Sequence, residues 1–205
     1  MLTFSEFMRV STIEQATIDR FAGQVPAEVV DMWRVHGAGY AGDFYFRVVD
    51  PARAALMLDG VVGLPDNSTV LFTTGLGDVI FHVNGTFLVI KFRFGVIDLV
   101  PVGTSFGDLV AMMERPENRG PVFEWDPYPT VVATHREGAP SFEQCYGFVP
   151  LLALGGPARE ENLALVGLYE HIALIVQLAG VPQLRGFLPS GPPESAGGKA
   201  HQPHS

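Results

Sequence analysis

Cysteine is almost missing from this chain: Cys145 is the only one in 205 residues. No intrachain disulfide can form, so nothing points to an oxidising compartment. Basic residues are also scarce. Thirteen Lys and Arg stand against twenty-two Asp and Glu, for a formal charge of −9. Direct binding to nucleic acid needs clustered cations against the phosphates, and the sequence does not supply them. The excess of acid favours a basic partner instead. Long apolar runs are missing too. The richest stretch, Leu163 to Ala179, is interrupted by Tyr169, Glu170, His171 and Gln177, which suits a buried helix and not a membrane span. The N-terminus, MLTFSEFMRVSTIEQ, has no basic segment leading into an apolar one, so the expectation is a cytoplasmic protein without a signal peptide. In that setting the sequons at Asn67-Ser68-Thr69 and Asn84-Gly85-Thr86 are chance matches.

Catalytic signatures are likewise wanting. There is no Gly-x-Ser-x-Gly elbow, no Walker-type loop and no internal repeat. His36, His82, His135, His171, His201 and His204 form no metal-ligand spacing with Cys145 or with an acidic neighbour, and Glu170-His171 lacks the second histidine of a zinc-protease helix. Cys145 precedes an aromatic residue and reads as a small buried hydrophobe. Gly75-Leu76-Gly77-Asp78 follows a strand but has no third glycine and leads into another strand, so it reads as a tight connection, with Asp78 bonding nearby amides. The expectation is a protein with no catalysis, no metal and no cofactor.

What is present is a globular composition, 47% hydrophobic and 17% charged, enough for one large domain or two small ones packed tightly. A short helix is expected around Phe4 to Val10. A clearer one starts at Pro26 and ends at Gly37, with Val29, Met32, Trp33 and His36 on one face. Phe44 to Val49 reads as a strand, and Asp50-Pro51 as the cap and first turn of a helix through Ala55 and Leu58. Strands follow at Thr69–Thr74, Asp78–Val83, Thr86–Phe92 and Val96–Val100, with Asn84-Gly85 as a hairpin turn. Thr104 is a plausible cap for a helix carrying Phe106, Leu109, Met112 and Met113. Four prolines make residues 115–129 a loop. Ser141 and Gln144 fit a capping box. A last helix is expected from about Glu161 to Ala179, ended by Gly180 and Pro182. The Gly-, Pro- and Ser-rich stretch after it has the composition of a loose tail. The fold class is therefore α+β: an antiparallel sheet with flanking helices, followed by a mainly helical C-terminal part. Trp33, Phe46, Phe81, Leu88, Tyr146, Leu165 and Ile172 are expected in the core.

Two segments carry a resemblance. Val25-Pro26-Ala27-Glu28 through Met32-Trp33-Arg34, His36-Gly37-Ala38-Gly39-Tyr40, Gly42-Asp43-Phe44-Tyr45-Phe46, Val49-Asp50-Pro51 and Thr74-Gly75-Leu76-Gly77-Asp78 together resemble a GAD-like domain. Cys145-Tyr146-Gly147-Phe148-Val149-Pro150, Leu152-Ala153-Leu154-Gly155-Gly156, Glu161-Asn162-Leu163 and Glu170-His171 resemble the C-terminal domain of the Tdi-type immunity proteins of type VI secretion. The resemblance implies a GAD-like domain over 1–103, a Tdi-type domain over 104–184 and a tail over 185–205. It also implies a binder that masks a cognate DNase toxin, with no direct contact to nucleic acid or membrane. A small-molecule-sensing module is the alternative, and an enzyme using Cys145 with His171 or His135 a third. Within the Tdi-type motif, Gly147, Gly155 and Gly156 permit turns and Tyr146, Phe148 and Leu152 would seat the loop on the last helix, so that motif reads as scaffold. Recognition is expected on the turn-rich rim, with Tyr40 and Phe44 as anchors and Asp43 and Asp78 as charge.

Overall fold

The computed structural model describes residues 4–103 and 105–187. Its centre is the hairpin of β5 (Val79–Val83) and β6 (Thr86–Lys91). Asn84 and Gly85 join them with φ of 48° and 78°. That pair of positive angles is what a two-residue turn needs to match the strand twist. On one side follow β4 (Thr69–Thr74), β3 (Phe46–Val48), β2 (Ala38–Ala41) and β1 (Phe7–Ser11). On the other lie β7 (Val96–Leu99) and β10 (Gln183–Phe187). Every neighbour in this eight-stranded sheet is antiparallel except β10, which runs parallel to β7.

Both faces of the sheet are buried. Alternation sends Phe46, Val48, Ile80, Phe87 and Val89 to one core cluster, and Val79, Phe81, Val83 and Ile90 to the other. The first cluster is closed by α1 (Gln15–Phe21), α2 (Ala27–His36) and α4 (Phe106–Glu114), through Phe21, Trp33, Phe106 and Leu109 among others. The second is closed by α3 (Pro51–Leu58) and α7 (Leu168–Ala179), which supply Leu58, Leu168, Ile172 and Ile175. Each such side chain contributes about 1.5–3 kcal/mol by leaving water. Asp50 caps α3 as its sequence suggests, accepting from the amides of Ala52 (2.8 Å) and Arg53 (3.1 Å). For α4 the cap is Ser105, which accepts from the Asp108 amide at 3.1 Å; Thr104 lies outside the described residues.

The α+β architecture stands, with corrections to several elements. The first segment is a strand, not a helix: Phe7, Met8 and Arg9 pair with Ala41, Tyr40 and Gly39. Five residues gain more from a sheet edge than from an isolated turn of helix. The proline-rich stretch holds two short helices, α5 (Pro116–Phe123) and α6 (Pro127–Thr134). Pro116 and Pro127 open them, where a missing N–H costs nothing. Ser141 and Gln144 do hydrogen-bond, at 2.7 Å, but they lead into β8 (Gln144–Phe148). The last helix starts only at Leu168; before it, β9 (Leu163–Gly167) pairs antiparallel with β8. Of the expected core, Trp33, Phe46, Phe81, Tyr146 and Ile172 are buried, while Leu88 and Leu165 are half-buried. Among the described residues no helix is long and apolar enough to cross a membrane.

The segment expected as tail from Arg185 begins inside a strand. β10 is held to β7 by a two-pronged contact from Arg185 to Asp98, at 2.8 and 2.6 Å. Asp98 is fully buried and also meets Lys91 at 3.3 Å, and Lys91 in turn reaches Glu124 at 3.0 Å. His201, His204 and the remainder from 188 lie outside the described residues. Arg185→Ala leaves the buried Asp98 with Lys91 alone. Because Arg185 is 42% exposed, we expect a modest loss of about 1–2 kcal/mol in urea unfolding. A variant as stable as wild type would mean that the strand does not form in solution.

Candidate partner-binding site

The connection from β2 to β3 is tightly constrained backbone. Gly42, Asp43 and Phe44 are consecutive left-handed residues, with φ of 54°, 54° and 64°. For the two residues with side chains this conformation costs about 1 kcal/mol or more each. It persists because residues 119–128 hold it from outside. Arg119, 5% exposed, reaches Asp43 at 2.6 Å while its Nε donates to the Met113 carbonyl at 2.9 Å and its guanidinium stacks on Trp125. The Tyr128 hydroxyl donates to the Phe44 carbonyl at 3.1 Å, and the Tyr45 hydroxyl to the Phe123 carbonyl at 2.5 Å.

The strained turn borders a pocket of about 450 Å³ lined by Glu6 to Met8 of the β1 end and by Tyr40 to Phe44. The expected anchors and charges separate here. Phe44 is 43% exposed and its ring packs on Tyr40 at 5.2 Å. Tyr40 is itself mostly buried between Phe44, Phe142 and the Arg47 guanidinium, so it forms the pocket wall and presents little free surface. Asp43 keeps a side-chain exposure of 64% although Oδ2 is bound by Arg119. These three stand together.

Asp78 does not join them. It is 1% exposed, and both its oxygens accept from Arg93, at 2.8 and 2.7 Å. Burial pushes its carboxyl up to about 6, against the pull of Arg93. The Gly75–Asp78 turn is buried because the second half of the chain lies on it. The Gly75 amide donates to the Tyr45 carbonyl at 2.7 Å, the Tyr146 amide to the Gly75 carbonyl at 2.8 Å, and Gly77 sits against the Cys145 sulfur. Asp78 bonds an arginine fifteen residues on and not its own turn's amides, so an acid counted as surface charge is interior.

The sequence also missed Arg119, Tyr128, Met8 and Val10. Nothing near Arg119 in Glu117-Asn118-Arg119-Gly120 marks it as buried. The alternation of Met8, Arg9, Val10 and Ser11 is the local signal for a strand there.

Nucleophilic chemistry has no support at Cys145. The thiol is buried, and burial pushes it up to about 12. His135 bonds Glu137 at 3.3 Å and the Leu163 carbonyl at 3.1 Å, while the buried His171 ring packs on the Gly147 backbone. Among the described residues no group of three or more His, Cys, Asp and Glu is placed to hold a metal.

Residues 104–179, less than half of the chain, match the family model of the T6SS immunity protein Tdi1, C-terminal. The match supports the type VI secretion immunity family for the part of the chain that clamps the rim. No curated protein matches the chain. Among solved structures, Atu4351 from Agrobacterium tumefaciens has the same fold, with a TM-score of 0.70, 16% identity and 85% of each chain covered.

Two outcomes follow from the packing. A Cβ at Gly75 would overlap the Tyr128 ring, so Gly75→Ala should lower stability by about 1–3 kcal/mol in denaturant unfolding; a neutral effect would mean the halves do not dock through this turn. Cys145, its thiolate disfavoured by burial, should resist a disulfide reagent such as DTNB at pH 8 and react fully once the chain is unfolded. Rapid labelling of the native protein would contradict this burial.

Proposed function

We propose that this chain is an immunity protein that binds a cognate type VI secretion DNase toxin and masks its active or DNA-binding site. The observation that carries the reading is the match of residues 104–179 to an immunity-protein family, in a segment whose Arg119 and Tyr128 hold the exposed rim of the first half. In this reading residues 1–103 form a GAD-like recognition part and residues 104–184 the Tdi-type part that shapes it. Tyr40, Asp43 and Phe44 belong to the contact surface.

The distribution of charge supports a basic partner. Among the described residues, four basic side chains, Arg47, Lys91, Arg93 and Arg119, are buried, against only two acids, Asp78 and Asp98. The interior is therefore net positive, and the surface is more acidic than the overall −9 suggests. A DNase cleft must be cationic to hold phosphate, so an acidic cover competes with DNA for it.

The test uses the cognate nuclease toxin, to be sought among the proteins of the neighbouring genes. An equimolar amount of the chain should abolish its DNA cleavage. The association rate should fall roughly tenfold on raising salt from about 50 to 500 mM, since exposed charges are screened within a few ångströms there. Phe44→Ala should leave that rate alone and speed dissociation about tenfold, as loss of an aromatic anchor does. Undiminished cleavage at a molar excess of the chain would overturn the reading.

A further inference from the structure

β1 ends the sheet: β2 lies on one side and, among the described residues, no strand lies on the other. Half of its backbone donors and acceptors therefore face outward without a ladder partner. Edges of this kind are normally guarded by lysine, proline or a cover, and Phe7–Ser11 contains neither residue. Its one charge, Arg9, is turned away, with its guanidinium donating to the carbonyls of Val35 and His36 at the end of α2. The register slips only near Ser11, leaving Phe7 to Arg9 regularly paired with β2.

The side chains tell the same story. Met8 lies across from Tyr40, and Tyr40 across from Arg47, so these three share one face of the sheet. Exposure along that row rises outward: Arg47 0%, Tyr40 8%, Met8 48%. The cover over this face stops at Tyr40 and Phe142, leaving Met8, 48% exposed, bare beside the pocket it shares with Phe44; Val10, at the register slip further along the strand, is also 48% exposed. At the end of the edge lie two carboxylates: Glu6, exposed, and Asp43, whose Oδ1 makes no hydrogen bond among the described residues.

We propose that the toxin is held by strand addition: an extended basic segment of it pairs with the outer edge of β1. Its apolar side chains cover Met8 and Val10, and a Lys or Arg enters the pocket between Glu6 and Asp43. Main-chain pairing supplies affinity that does not depend on sequence, and the pocket supplies the choice of side chain. Charge selects the occupant, because two carboxylates at one end of the edge oppose a second copy of this acidic chain and attract a cationic segment. The inference rests on the immunity reading above and adds to it the place and mode of contact.

Hydrogen exchange with mass readout tests it, on the full chain with and without the cognate nuclease toxin. In the complex the amides of residues 7–10 should exchange at least about tenfold more slowly. Met8→Lys with Val10→Lys should weaken toxin binding by about 30-fold with thermal unfolding unchanged, whereas Leu178→Lys, on the exposed side of α7, should leave it within about twofold. Tight binding without protection of residues 7–10 would overturn strand addition and leave the immunity reading standing. Absence of binding would remove both. Protection that grows with the concentration of this chain alone would assign the edge to self-pairing and also overturn the proposal.

Discussion

The structure depends on one relay of hydrogen bonds that crosses from the first half of the chain to the second. The Tyr45 carbonyl accepts from the Gly75 amide, and the Gly75 carbonyl accepts from the Tyr146 amide. Three segments far apart in sequence are thereby fixed at one end of the sheet: the start of β3, the β4–β5 turn and β8. The aromatic rings of Tyr45, Tyr128 and Tyr146 fill the space around it, with centroids 5.0 Å apart for Tyr45 and Tyr128 and 6.4 Å for Tyr128 and Tyr146. Glycine at position 75 is required because the Tyr128 ring occupies the volume a Cβ would take.

That junction explains how a small, strained feature survives on the surface. The left-handed run at Gly42–Phe44 would relax in isolation. The clamp from Arg119 and Tyr128 offsets its cost and keeps Phe44 turned outward over Tyr40. A surface built in advance loses less entropy when a partner arrives. The part of the chain that matches the immunity family thus acts on the rim without forming it.

Charge follows the same logic. The interior ties its few acids to arginine and lysine, as at Asp78 with Arg93 and at Asp98 with Lys91 and Arg185. Such pairs need hydrogen bonds to survive desolvation; Asp98 accepts two from Arg185 and has Lys91 beside it at 3.3 Å. Arg47 is different: it is fully buried, gives one hydrogen bond to the Thr74 carbonyl at 3.0 Å and lies over the Tyr40 ring. Burying four cations leaves the outside of the molecule acidic, and it is the outside that a partner meets.

Much of the fold was legible because it is local. Asn84-Gly85, the strands from β4 to β6 and the cap at Asp50 rest largely on local signals and formed as read, and of the stripe on α2 Val29, Met32 and Trp33 are buried while His36 is half-buried. The rim was legible in part: Asp43 and Phe44 sit on it, and Tyr40 walls it. Asp78 was not, because nothing within its own turn says that Arg93 and Cys145 will close over it. β1, β9 and β10 escaped for the same reason. A strand gains its hydrogen bonds from a partner that can be anywhere in the chain, and β10 finds β7 more than eighty residues away. The sequence by itself determined the periodic elements, the hairpin and the acidic balance, since these follow from backbone propensity and composition. Only the tertiary structure decided which acids face water, which edge stays open and what holds the rim, because those depend on non-local packing that no window of sequence contains.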